Sequence, residues 1–318
     1  MDRERATPTT SKKPQDRTKV GTRDFWATLK TKDTNPENLA ELMVGRKVLL
    51  RVDKTPAQPT KPVLEIKDLS MVDDFGVQIL KNINLSVKAG EILGIAGVAG
   101  NGQSELLQVL GGYSPATGII KLNGSEIDLS TNVSGDGQAR RALGMAHVPE
   151  DRQREGLIMD FMAWENAVFG YHREKSNQAN RFFMDNNAIR KETEEKMKRF
   201  DVRPPNPKLT AKNFSGGNQQ KIVLAREIER NPDLLLVGQP TRGVDIGAIE
   251  FIHQQIVALR DQGKAILLIS VELDEILSLS DRVLVMFDGE IMGERNPANT
   301  NEKELGLLMA GVSEKAAQ

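Results

Sequence analysis

Gly97-Val98-Ala99-Gly100-Asn101-Gly102-Gln103-Ser104 is the stretch that decides how this 318-residue chain reads. Its spacing is Gly, four residues, Gly, a polar residue, Ser. That is the pattern of a glycine loop that cradles phosphate, with Gln103 where such loops carry Lys. The apolar run Glu91–Ala96 in front of it predicts a buried strand, and residues 105–110 behind it predict a helix. Strand, loop and helix start together aim backbone N–H groups and the positive end of a helix dipole at an anion. Gly97, Gly100, Asn101, Gly102, Gln103 and Ser104 are therefore candidate phosphate-binding residues, and Ser104 is also the candidate metal ligand. On its own the loop also fits an ordinary tight turn before a helix.

The charges nearly cancel, at 43 Lys and Arg against 44 Asp and Glu, which leaves no basic footprint for nucleic acid. No apolar run reaches the length of about 18 residues that a membrane span needs. No signal-peptide pattern is visible, and cysteine is absent, which removes disulfides and thiolate metal sites and fits a cytosolic setting. His147, His172 and His253 are scattered and read as ordinary surface or core positions rather than metal ligands.

Residues 1–22 are polar, charged and proline-bearing and read as disordered. A short helix is predicted at 34–45, and nearly the same text recurs near the other end. Thr34, Asn35, Leu39, Leu42, Met43 and Gly45 match Thr300, Asn301, Leu305, Leu308, Met309 and Gly311 in register. The expectation is that residues 1–62 are the tail of a preceding copy of the same domain plus a Pro-rich linker at 53–62. The main domain then runs over 63–311, with a short tail at 312–318. The runs 63–69 and 77–87 alternate apolar and polar and predict antiparallel strands. Residues 234–237, 265–270 and 282–287 predict further strands, the first two central and parallel, and a helix is expected over 247–261. The middle, about 155–213, lacks strand pattern and reads as a helical insert in a doubly wound α/β domain.

Three further segments follow in order. Phe214-Ser215-Gly216-Gly217-Asn218-Gln219-Gln220-Lys221 opens a helix with two glycines and a hydroxyl, which is either an anion-facing helix start or a simple Ser cap. Residues 234–245 form an apolar strand ending in Gly238-Gln239-Pro240-Thr241-Arg242-Gly243-Val244-Asp245. Residues 269–276 repeat the strand-to-polar-edge pattern, where open α/β sheets bind ligands.

At these residues the chain resembles the ATP-binding subunits of ABC transporters, over about 63–311 and in the order of all motifs. The resemblance implies an α/β P-loop NTPase of ABC type, with a mixed sheet core, an antiparallel β-subdomain and a helical subdomain. Ser215-Gly216-Gly217 with the following Asn218-Gln219-Gln220-Lys221 is similar to the signature of simple-sugar and nucleoside importers, and residues 238–250 resemble the nucleoside members. The resemblance implies ATP and Mg²⁺ as cofactors and a head-to-tail dimer of two nucleotide-binding domains. It further implies membrane permease subunits, a solute-binding protein reached through them, and a peripheral place on the cytoplasmic membrane face. In that group two such domains are joined in tandem, and this chain looks like the second.

The departures are equally specific. Gln103 replaces the phosphate-pairing lysine, Gly238 a Mg²⁺-holding aspartate, Gln239 the glutamate that accepts the water's proton, and Val271 a switch histidine. Glu150 stands at the usual glutamine of the loop facing the membrane partner. The implied site is thus weak in cis: Gly97, Gly100–Ser104 and Gln239 would face bound ATP. In trans, Ser215, Gly216, Gly217 and Gln219 would close over a partner's ATP, with Asp245 at the dimer seam. A second expectation is a nucleotide-holding regulatory half without turnover, or a fragment of a split tandem protein. A P-loop kinase or GTPase would need no Ser-Gly-Gly segment. Phe75 is the candidate for stacking on adenine. The stretch 152–166 with Trp164 would meet the permease, and at least two of Met159, Phe161 and Met162 are expected to be core.

Overall fold

The structure, a computed structural model, describes residues 17–22, 25–30, 53–129, 136–180 and 183–312. The chain divides into two compact units, Met1–Leu50 and Arg51–Gln318. In the first, β1 (Arg17–Thr22) pairs antiparallel with β2 (Phe25–Lys30). The expectation of disorder over 1–22 misses this hairpin: Thr18, Val20, Thr22, Phe25, Trp26 and Thr28 favour strand, although the surrounding composition is polar. The predicted helix at 34–45 and the tail beyond residue 312 lie outside the described residues.

The second unit runs β3 (Pro62–Val72), β4 (Gln78–Lys88), β5 (Glu91–Ala96), α1 (Gln103–Gly111), β6 (Thr117–Leu122), β7 (Ser125–Ile127), α2 (Asp136–Ala142) and β8 (Met145–Val148). It continues through a π-helical turn (Arg152–Gly156), α3 (Ala163–Ala167), α4 (Asn186–Arg199), α5 (Gly216–Ile228), β9 (Leu234–Gly238) and α6 (Ile246–Asp261). It closes with β10 (Ala265–Ile269), α7 (Leu273–Leu279), β11 (Arg282–Phe287), β12 (Glu290–Arg295) and α8 (Glu302–Met309).

Six strands form the central sheet in the order β12-β11-β5-β10-β9-β8, parallel except for the antiparallel edge strand β12. Every residue of β5, β9 and β10 is buried, as a parallel sheet covered on both faces requires. Successive side chains alternate between two cores. Ile92, Leu235, Val237, Ile266 and Leu268 face α5 and α6, with Val223, Ile252 and Ile256 opposite them. Leu93, Ile95, Leu234, Leu236 and Leu267 face the other way, onto Leu106, Val109 and Leu110 of α1 and onto the second sheet. Each such side chain contributes about 1.5–3 kcal/mol on burial.

That second sheet is antiparallel, in the order β4-β3-β6-β7, and caps α1. Between β8 and α5 lies the helical part, with Trp164, Val168 and Ile189 forming a small core of their own. The mixed central sheet, antiparallel β-part and helical part match the expected fold class. Of Met159, Phe161 and Met162, only Met159 packs on the core; Phe161 and Met162 are exposed, against the expectation for two of the three. The reason is local: Ala163 and Trp164 supply the inward face of α3, which leaves 161 and 162 outside its first turn.

Candidate functional site

The polar edges of β5, β9 and β10, with the segments that follow them, build the site. After β5 the chain turns through Gly100 and Gly102, both at positive φ, into α1. Gly102 is the N-cap, at φ 102°, and no side chain occupies the first-turn N–H groups. Those donors and the helix dipole suit an anion. The loop is stapled from outside: Asn101 Oδ1 accepts the Asp288 N–H at 2.9 Å, and its carbonyl accepts the Gly289 N–H at 3.0 Å.

Gln103 does not stand in for a lysine. It is buried, its Nε2 donates to the Val98 carbonyl at 3.2 Å, and its Oε1 is buried without a partner. The amide lies across the loop floor, so close that a Cβ on Gly97 would sit 1.8 Å from Nε2. The backbone cradle therefore fits a phosphate, while Gln103 adds no charge and spends its donor on the loop itself.

Ser104, one residue into α1, donates from Oγ to Glu150 Oε2 at 2.6 Å, across 46 residues of sequence. Glu150 follows β8 and lies over the end of β9. A Cβ on Gly238 would meet Glu150 Cγ at 2.6 Å and Leu107 Cδ1 at 2.7 Å, so only glycine leaves the carboxylate this path. The charge of Glu150 also helps to hold the Glu155 carboxyl above the usual range, after burial, which is the larger cause. Ser104 and Glu150 together offer a hydroxyl and a carboxylate, the oxygen donors that a Mg²⁺ ion takes beside phosphate.

Gln239 follows at φ 45°, and its Oε1 accepts the Val271 backbone N–H at 3.2 Å. The Gln239 amide is thus tied to the segment after β10.

The second cluster starts α5. Ser215 is exposed and caps the helix: its Oγ accepts from Asn218 Nδ2 at 2.9 Å and from the Asn218 N–H at 3.4 Å. The capping reading and the helix-start reading hold at once. Gly216 is half-buried, and a Cβ there would meet the Arg152 guanidinium at 2.6 Å and the Gly243 carbonyl at 2.8 Å. Gly217 is buried, its Cα facing Asp245 Oδ2 at 2.7 Å from an added Cβ, so this second glycine serves close packing within the chain. Asp245 is exposed and caps α6 by accepting the Ala248 N–H at 3.0 Å. Gln219 is drawn inward: its Nε2 donates to the Ala211 and Phe214 carbonyls, and its Oε1 accepts from Gln153 Nε2. The helix phase puts it on the buried face of α5, away from the solvent edge where Ser215 stands.

Arg152 escaped the reading by motif. It donates to the Arg242 carbonyl at 2.6 Å and the Gly243 carbonyl at 3.2 Å, which ties the π-turn to the loop before α6, and its guanidinium lies beside Gly216 at the start of α5. Its only sequence signal is a charge two residues after Glu150. Phe75 stands 91% exposed at the tip between β3 and β4, free to meet a flat ligand. Trp164 is buried, with Arg190 stacked over its ring. Among the described residues, no group of three or more His, Cys, Asp or Glu side chains gathers to hold a metal.

A glycine cradle at the carboxyl end of β5, with a serine and carboxylate beside it and a capped glycine pair at a separate helix start, defines a nucleotide-binding cassette. A family model described as ABC transporter matches residues 80–242, and the chain belongs to that family. It is 45% identical over 291 residues to the guanosine import ATP-binding protein NupO of Bacillus subtilis, covering 91% of this chain and 56% of that one. It is 46% identical over 286 residues to the nucleoside import ATP-binding protein NupA of Lactococcus lactis (89% and 55%). Against the ribose import ATP-binding protein RbsA of Clostridium perfringens the identity is 35% (89% and 54%). The chain spans about half the length of these curated relatives. Among solved structures, a dimeric ATP-binding cassette bound to ADP and Pi superposes with a TM-score of 0.62 at 25% identity, over 74% of this chain and 98% of that one.

Proposed function

We propose that the chain is the second nucleotide-binding domain of a tandem importer ATPase, which couples ATP binding and hydrolysis to passage of a small solute through a membrane permease. The observation that carries this is the Ser215–Gly216 helix start, exposed or half-exposed at the head of α5 and backed by Arg152 and Asp245. Its half-length match to the curated relatives and the text shared by 34–45 and 300–311 support the tandem place.

In cis, the N–H groups of residues 100–104 would hold phosphates, Phe75 would stack on the base, and Ser104 with Glu150 would hold Mg²⁺. When bound, ATP supplies the phosphoryl bond to be cleaved and Mg²⁺ neutralises charge on it. Gln103 leaves out a charge-assisted bond worth roughly 1.5–3 kcal/mol, which weakens binding without removing it. Gln239 orients water but takes no proton, and general-base help is worth about 10²–10⁴-fold. In trans, Ser215 and Gly216 would close over the γ-phosphate on a partner domain, with Gly217 setting the helix against Asp245. The exposed Phe161 and Met162 would face the permease. Among the described residues no helix is long and apolar enough to cross a membrane, which suits peripheral binding at its cytoplasmic face. Nucleosides are the favoured cargo, since the relatives named for them are 45% and 46% identical against 35% for ribose.

A second reading, a regulatory half that holds nucleotide without turnover, is favoured at the cis site by the Gln239–Val271 bond. The test is reconstitution with a lysine-bearing first domain. The chain alone should bind ATP with negligible phosphate release, and the mixture should hydrolyse with a rate that rises with this chain's concentration. A mixture no faster than the first domain alone would favour the regulatory reading.

A further inference from the structure

We infer that Asn218 is a positioning residue, which turns the Ser215 hydroxyl into a donor aimed off the head of α5 toward the phosphate of a nucleotide on a partner domain. This rests on the reading that the head of α5 closes over such a nucleotide. A serine hydroxyl has one hydrogen to donate and two lone pairs to accept with. At Ser215 both lone pairs are taken, by Asn218 Nδ2 at 2.9 Å and by the Asn218 N–H at 3.4 Å. Among the described residues the hydroxyl's own hydrogen has no acceptor, and Ser215 is exposed, so that hydrogen points outward. Ionised phosphate oxygens only accept, so an O–H held in this sense matches them, and accepting two bonds polarises it further.

The Asn218 amide is fixed in one orientation. The Arg203 N–H only donates, and it lies 2.8 Å from the Asn218 side chain, so the atom it meets is Oδ1 and the atom facing Ser215 is Nδ2. Arg203 is held in its turn. Lys221, three residues along the same face of α5, donates from Nζ to the Asp201 carbonyl and to Asp201 Oδ2, each at 3.0 Å, and Val202 next to it is buried. Asn218 and Lys221 thus clasp residues 201–203; the clasp sets the amide, and the amide sets the hydroxyl. Capping alone needs only the Asn218 N–H, one of the unpaired donors of a helix start. The side-chain bond satisfies no such donor, and its effect falls on the direction of the Ser215 hydrogen.

The test uses the 318-residue chain mixed with a lysine-bearing first domain at fixed concentration, with kcat and the KM for ATP of the stimulated ATPase read separately. Ser215→Ala should lower kcat about 100-fold and Asn218→Ala about tenfold, each with KM within about twofold of native, because the other domain's loop holds the ATP. The double variant should be no slower than Ser215→Ala alone, since the amide acts only through the hydroxyl. Asn218→Asp keeps an acceptor for the Arg203 N–H and adds a carboxylate in the first turn of α5, where it favours the helix. That carboxylate takes the Ser215 hydrogen inward, so kcat should fall about 100-fold while the urea midpoint stays at or above native. Additive losses in the double variant, about 1,000-fold, overturn the inference and leave the trans reading standing, as does a native kcat in Asn218→Asp. A native kcat in Ser215→Ala overturns the trans reading and this inference with it.

Discussion

The side-chain oxygen of Gln239 accepts the backbone N–H of Val271 at 3.2 Å, joining the ends of two adjacent central strands. The Gln239 amide is thereby used as a brace, and Val271 has nothing to titrate. Restoring the acid alone should therefore achieve little. Gln239→Glu should raise phosphate release by the isolated chain less than about tenfold, well short of the 10²–10⁴-fold expected of a base in a complete site. A single-turnover phosphate assay measures this directly.

On the proposed function, Gln103 bears on binding alone. Gln103→Lys adds a charge where the amide now bonds Val98 and removes the partnerless Oε1. Affinity for mant-ATP should rise about 10–100-fold, with turnover still low. Fluorescence titration measures the first and phosphate release the second.

Arg152 ties two carbonyls of the loop before α6 to the turn after Glu150. Arg152→Ala should destabilise the chain by about 1–3 kcal/mol in urea unfolding, and Arg152→Lys should recover only part of that, because a single ammonium replaces a fork of donors.

Burial lowers the His147 imidazole to about 4, with its ring beside Tyr113. In the unfolded chain it would titrate near 6.5, so between those values the unfolded state binds the extra proton. The contribution is therefore complete above pH 6.5 and is lost as pH falls toward 4. At about 1.4 kcal/mol per pH decade, the loss is on the order of 3 kcal/mol. Urea midpoints at pH 7 and pH 4.5 should differ accordingly, and His147→Gln should flatten the dependence.

The sequence carried four of the parallel strands plainly. β5, β9, β10 and β11 are near-continuous apolar runs, because a sheet covered on both faces tolerates nothing else. β8, four residues with a histidine inside, and β12, a half-exposed edge bearing charge, give no such signal. In the site, the glycine cradle and the Ser215 cap were readable because each is a local pattern. The reach of Glu150 past Gly238 to Ser104 was not, since it depends on three segments meeting at one sheet edge. Gln219 shows the converse: its motif position suggested a ligand contact, yet the phase of α5 turns its amide into the chain.

The central claim is that the head of α5 closes over nucleotide held by another domain, and the most direct test is one substitution in a mixture. With a lysine-bearing first domain supplied at fixed concentration, Ser215→Arg should reduce the stimulated ATPase by about 100-fold or more, by steric and hydrogen-bond loss at the transferred phosphate. Binding of mant-ATP to this chain alone should stay unchanged. Undiminished ATPase from the Ser215→Arg mixture would contradict the account.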